Sequence, residues 1–151
     1  MTARERLAEL GLALPEVVPP VAAYVPATRT DNLVFTSGQL PVRDGKLPAT
    51  GKVGAEVDPE TAQDLARQCA LNALAALTTV VDLDEVTRVV KLVGYVASAP
   101  SFTGQSQVVN GASELLQDVF GDAGRHARSA VGMAALPLDA PVEVEIIVEV
   151  R

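Results

Sequence analysis

Hydrophobic residues recur along this chain in two periods, and the switches between them mark out most of its elements. Val142, Val144, Ile146, Val148 and Val150 alternate with Glu143, Glu145, Ile147 and Glu149, a period of two that predicts a strand over Val142–Val150 with one buried face. Val86–Val96 is nearly continuous in apolar residues (Val89, Val90, Leu92, Val93, Val96), the pattern of a strand covered on both sides. A further strand is predicted over Ala127–Ala135, interrupted by Gly132. Another spans Leu33–Ser37, closed by Gly38 and introduced by the turn pair Asp31-Asn32 as half of a hairpin.

The helical period of 3.6 appears in two long segments. Asp58 suits an N-cap and Pro59 the first helical position, and the stripe Ala62, Leu65/Ala66, Cys69, Ala73, Ala76/Leu77, Val80 carries that helix to about residue 80. After a loop at Ala97–Thr103, a second helix is marked by Val108/Val109, Ala112, Leu115/Leu116 and Val119/Phe120 and ends at Gly121. A short helix over residues 2–10 has Thr2 as N-cap, Glu5 as its capping-box partner, Leu7 and Leu10 as its apolar side, and Gly11 as its stop. Pro15, Pro19, Pro20 and Pro26 then forbid helix, leaving an extended segment with at most an edge strand around Val21–Val25. Residues 41–59, rich in Pro and Gly, read as loops around one short strand.

Strands, helix, strand, helix, two strands is the order of an α+β sandwich, with both long helices on one face of a mixed sheet. On the other face Val93, Tyr95, Val131 and Ile147 need cover, which an oligomer would supply. The 151 residues make one domain, in which 1–17 form an N-terminal helix and an extended lead-in. With 48% hydrophobic and 21% charged residues, such a chain buries a core without staples.

Composition removes several function classes. One cysteine, Cys69, and one histidine, His126, cannot supply a structural zinc site, and no disulfide framework is available. A net charge of -7 with no Trp opposes nucleic-acid binding. The absence of an 18-residue apolar window argues against a membrane span, and the acidic start against a leader, so a cytoplasmic protein is expected.

Candidate chemistry is sparse. Cys69 lies on a helix's apolar stripe and reads as core. Gly121-Asp-Ala-Gly124 follows a helix instead of opening one, so it is no phosphate loop. Arg125, His126 and Arg128 cluster in an otherwise acidic protein. Two readings stand open for Arg128: a guanidinium fork gripping a small carboxylate, or a structural ion pair with Glu145. Glu145 taken alone reads as one acid of a solvated strand face.

Several segments acquire meaning together. Tyr24 stands ahead of Arg29-Thr-Asp-Asn-Leu-Val-Phe-Thr-Ser-Gly-Gln-Leu-Pro41. Beyond it come Asn72-Ala-Leu, Val89-Val-Lys-Leu92, Val109-Asn110, Ala127-Arg-Ser129, and Leu136-Pro137 leading to Val142-Glu-Val-Glu145. In this combination, from about Val18 to Glu149, the chain resembles the reactive intermediate deaminase family (RidA, YjgF type), also labelled endoribonuclease L-PSP, in a longer subgroup.

The resemblance implies a chorismate-mutase-like fold in a homotrimer with a central β-barrel. It implies clefts between subunits where enamine and imine products of the 2-aminoacrylate type are hydrolysed to 2-keto acids and ammonia, without metal or organic cofactor. By the same resemblance Arg128 binds the substrate carboxylate and Glu145 orients or activates the attacking water, while Tyr24, Ser37 and Asn110 line the pocket. The family's usual cysteine two residues after the arginine is Ala130 here, which keeps the backbone carbonyl used to hold water. The Ser98–Gly111 stretch reads as an insertion-like loop. The competing function is a non-catalytic trimer that binds small carboxylates or a protein partner. Ribonuclease action is disfavoured by the acidity of the chain and its single histidine.

Overall fold

The computed structural model describes all residues of the chain except Val18 and Val21. Three α-helices and five strands follow one another as α1 (Ala3–Glu9), β1 (Ala27–Thr30), β2 (Leu33–Thr36), α2 (Pro59–Leu77), β3 (Val86–Ala97), α3 (Gln105–Phe120), β4 (Ala127–Met133) and β5 (Val142–Val150). The strands form one mixed sheet in the order β1-β2-β5-β3-β4, in which β3 and β4 run parallel and every other pair antiparallel. A parallel pair needs a crossover, and α3 is that crossover. It is laid over the same two strands that it joins.

The even-numbered residues of β5, from Val142 to Val150, are all buried, as period two requires. They pack with Val34, Val89, Leu92 and Val96 of the sheet and with Leu65, Leu74, Leu77, Leu115 and Leu116 of α2 and α3. Burial of each such leucine is worth about 1.5–3 kcal/mol. Two glycines set how closely the layers approach. A Cβ at Gly111 would stand 2.0 Å from the Gln63 carbonyl oxygen of α2, and one at Gly94 would stand 2.4 Å from a methyl of Val109. Any side chain there would lift α3 from α2 or from β3.

Local signals set the helix ends. Thr2 and Glu5 make the expected capping box, and the Asp58 carboxylate accepts the Thr61 N–H at 2.7 Å. α2 stops at Leu77, and Thr78–Val81 continue as a turn.

Four expectations change. The edge strand is β1 and not Val21–Val25: Val21 lies outside the described residues, Ala22–Val25 are not strand, and pairing starts at Ala27, after Pro26, which has no N–H to donate. Residues 41–59 hold only isolated bridges, Arg43 with Lys46 and Val53 with Val57 and Ser98. Gln105–Gly111 are the first turns of α3, because Val108, Val109 and Ala112 supply a buried face that outweighs the Ser/Gly/Gln composition. β4 runs through Gly132, paired with Val96, and ends at Met133. No helix among the described residues is long and apolar enough to cross a membrane.

Candidate active site

Register decides which residues share a face. Leu92 pairs with both Arg128 and Ile146, so Arg128 and Ala130 point to the helix-covered side of the sheet. Val93 pairs with both Ser129 and Glu145, so Glu145 points to the opposite, open side. One chain therefore holds the expected site residues as two groups. Arg128 and Ala130 lie under α3, which carries Asn110, while Glu145 lies beyond the sheet and Tyr24 and Ser37 flank the end of β2. The Arg128–Glu145 ion pair, open on sequence alone, does not form, because the sheet stands between them.

Arg128 sits on the edge strand β4, where α3 meets it with a polar stripe. Nη1 donates to Asn110 Oδ1 at 2.7 Å and to Ser113 Oγ at 3.2 Å, and Nη2 donates to the Ser106 carbonyl at 3.4 Å. Positions 106, 110 and 113 follow the i, i+4, i+7 spacing of one helix face. A guanidinium has five N–H donors, and these contacts use three. Nε and one Nη2 hydrogen have no partner among the described residues, and together they form the edge that grips a carboxylate with two parallel bonds.

Glu145 stands where β5 leaves regular pairing with the β2 segment. From Phe35 to Gln39 there are four steps against three from Ile147 to Val144, so one extra residue bulges beside Glu145. Thr36 Oγ1 fills the break by accepting the Ile146 N–H at 3.0 Å. Glu145 lines a recess of about 180 Å³ with Phe35, Lys91, Val93 and Ile147, and its Oε1 accepts a short hydrogen bond from the Tyr95 hydroxyl. That bond, with partial burial, pushes the Tyr95 phenol up to about 12. Burial, and then the nearby Glu145, raise Glu143 above the usual carboxylate range. Tyr24 is 49% exposed, and Ser37 Oγ donates to the Val25 carbonyl at 2.6 Å, tying the end of β2 to the segment that bears Tyr24.

A family model described as endoribonuclease L-PSP matches residues 15–150. The chain belongs to that family. Its relatives within the family include Protein TCP17 of Trypanosoma cruzi, 46% identical over 96% of this chain and 92% of that one. The 2-iminobutanoate/2-iminopropanoate deaminase of Escherichia coli K12 is 32% identical over 84% of this chain and 87% of its own. Among solved members, Atu1372 from Agrobacterium tumefaciens superposes with a TM-score of 0.92 at 49% identity, covering 99% of this chain and 92% of that one.

Sequence reasoning named Asn110 but missed Ser113 and Tyr95 as partners of the two central residues. Ser113 is 7% exposed and hydrogen-bonded to His126, and Tyr95 reaches across the strands to Glu145. The Asn110, Ser113 spacing of i, i+3 was a usable signal, since polar side chains next to an apolar stripe on the same helix need a polar target. Cys69 is core as expected: it is fully buried, burial raises its thiol well above the ordinary value, and Val142 O is its only hydrogen-bond partner among the described residues.

Proposed function

We propose that the protein hydrolyses small 2-imino acids to 2-keto acids and ammonia, in clefts that join Arg128 of one protomer to Glu145 of another within a homotrimer. The observation that carries the reading is the unpartnered Nε/Nη2 edge of Arg128, held in place by Asn110 and Ser113. The named activity of the E. coli relative supports the reaction class. The opposite orientation of Arg128 and Glu145 supports an interface site, since no ligand of a few atoms can touch both within one chain.

In this reading Arg128 fixes the substrate carboxylate and leaves the adjacent imine carbon at the protomer boundary. An imine carbon is already electrophilic, so one oriented water and the entropy gained by holding both reactants supply most of the acceleration. Glu145, with Oε1 engaged by Tyr95, offers Oε2 to that water. Glu145 Oε2 takes a proton from the water as the water oxygen bonds to carbon and the C=N π electrons move to nitrogen, which then receives that proton. The hydroxyl proton of the resulting carbinolamine passes to nitrogen as the C–N bond breaks, leaving the keto carbonyl and ammonia. Tyr24 and Ser37 shape the wall of the cleft, and the Ala130 carbonyl holds water. The site works without metal or organic cofactor, inside the cytoplasm, on a free imino acid, and needs neither nucleic acid nor a membrane.

The test generates several imines in situ from different amino acids and follows their loss and the keto acid formed. Accelerated hydrolysis by the wild type, lost in Arg128→Lys with folding intact, is the expected result, because lysine keeps the charge but not the fork. Binding of carboxylates without turnover of any imine would leave a binding module instead. A stable monomer by light scattering at micromolar concentration would remove the interface site altogether.

A further inference from the structure

We infer that Ser113 and His126 form a positioning relay behind Arg128, holding its guanidinium so that the free edge faces the incoming carboxylate; this rests on the clamp reading above. His126 Nδ1 lies 2.6 Å from the Gly124 carbonyl oxygen, which only accepts, so Nδ1 carries a hydrogen, and the Nδ1–H tautomer presents Nε2 as an acceptor. Nε2 lies 2.9 Å from Ser113 Oγ, so the hydroxyl donates to it. The Ser113 oxygen is then turned to accept from Arg128 Nη1 at 3.2 Å. Donation runs one way, from Arg128 to Ser113 to His126 to Gly124, and each bond polarises the next.

The far end of this relay is fixed. A Cβ at Gly124 would stand 2.3 Å from the Leu116 carbonyl oxygen, so the turn packs tightly against the last turns of α3. The near end is where the effect is felt. Asn110 and Ser113 take both hydrogens of Nη1, and two acceptors on one nitrogen fix the plane of the guanidinium. Without the His126 acceptor, the Ser113 hydroxyl turns to the carbonyl one helical turn back, as serines in helices do, and presents the wrong side of its oxygen to Arg128. The clamp keeps its charge but loses its aim. Ser113 and His126 touch no substrate; they act only through Arg128.

His126 is the single histidine of the chain, so its ring signals need no sorting from others in an NMR spectrum. The probe is 2-ketobutyrate, a product-like carboxylate, titrated by calorimetry and by NMR into wild type, Arg128→Ala, Ser113→Ala, His126→Ala, His126→Gln and the Ser113/His126 double alanine variant. Melting curves and imine-hydrolysis kinetics are taken on the same preparations. Binding by the wild type should be abolished in Arg128→Ala. Ser113→Ala and His126→Ala should each weaken it, and raise KM, about 3- to 10-fold with kcat within about twofold. The double variant should be no worse than either single one. His126→Gln, whose amide oxygen can replace Nε2 as acceptor, should recover most of the affinity. Ketoacid binding should shift the His126 ring signals in the wild type, and Ser113→Ala should remove that shift. Wild-type affinity in both single alanine variants, or multiplied losses in the double one, overturns the relay while leaving the clamp standing. Wild-type protein that binds no ketoacid overturns the clamp, and the relay with it.

Discussion

The two halves of the candidate site solve opposite electrostatic problems. Under α3, a guanidinium is held on one side by neutral acceptors, from Asn110, Ser113 and the Ser106 carbonyl, with its Nε edge left over. Across the sheet, burial and then the neighbouring Glu145 raise Glu143, while Glu145 itself is bonded by the Tyr95 phenol. The first half is held by hydrogen bonds to neutral groups; in the second, two carboxylates share one face of the sheet, with Tyr95 bonded to one of them and Lys91 in the lining of the same recess. A binding group gains from rigidity, whereas an acid that is to handle water gains from a poorly hydrated setting.

The contrast is broken most severely at Arg128. Arg128→Ala should lose about 2–3 kcal/mol of transition-state stabilisation, on the order of 30- to 150-fold in kcat/KM, with the fold intact because no carboxylate is left unpaired. Keto-acid formation and melting temperature on one preparation check this, and a folded, fully active variant would end the clamp assignment. Glu145→Gln keeps the shape but not the base, and should lower kcat on the order of 100-fold. Mixing the Arg128→Ala and Glu145→Gln chains sharpens the comparison further. If the proposed trimer assembles at random, about a quarter of its clefts regain both native groups, so activity should return when two inactive proteins are refolded together. No recovery would mean that each chain completes its own site.

Smaller effects belong to the supporting groups of the open face. Tyr95→Phe removes the donor to Glu145 and should lower kcat about 3- to 10-fold with little change in melting. Because the phenol is raised from 10 to about 12, the stability it adds is complete below pH 10 and is lost as pH rises toward about 12. The phenylalanine variant should lack that alkaline step in pH-dependent melting. Glu143 is also raised, so its ionisation in the folded protein opposes stability at neutral pH, and its favourable contribution exists only below the ordinary carboxylate value. Glu143→Gln should therefore raise the melting temperature at pH 7 by about 1–2 °C, with the gain vanishing in acid.

How much of this could be seen beforehand differs by element. β5 was legible residue by residue, since alternation is a property of neighbouring positions, and so were the caps at Thr2 and Asp58, which need only three residues. β1 was not, because its residues Ala27, Thr28, Arg29 and Thr30 carry no apolar pattern and become a strand only through pairing with β2. The start of α3 was hidden by Ser, Gly and Gln, whose propensities the buried Val108 and Val109 override. Motif resemblance named Arg128, Glu145, Asn110, Tyr24, Ser37 and Ala130 as one group, and nothing in a linear motif tells which side of a sheet each one faces.

Local periodicity thus determined the α+β layering, the buried face of β5 and the two long helices, since each follows from how apolar residues repeat over a few turns or a few strand positions. Only the tertiary structure decided that Arg128 and Glu145 point away from one another, and that Ser113 with His126 and Tyr95 with Glu145 are pairs. Those facts depend on the register of β3 against both β4 and β5, and on the depth to which Gly94 and Gly111 let α3 settle. Register and depth are set by contacts between residues far apart in the chain, whose mutual distance no short stretch of sequence encodes.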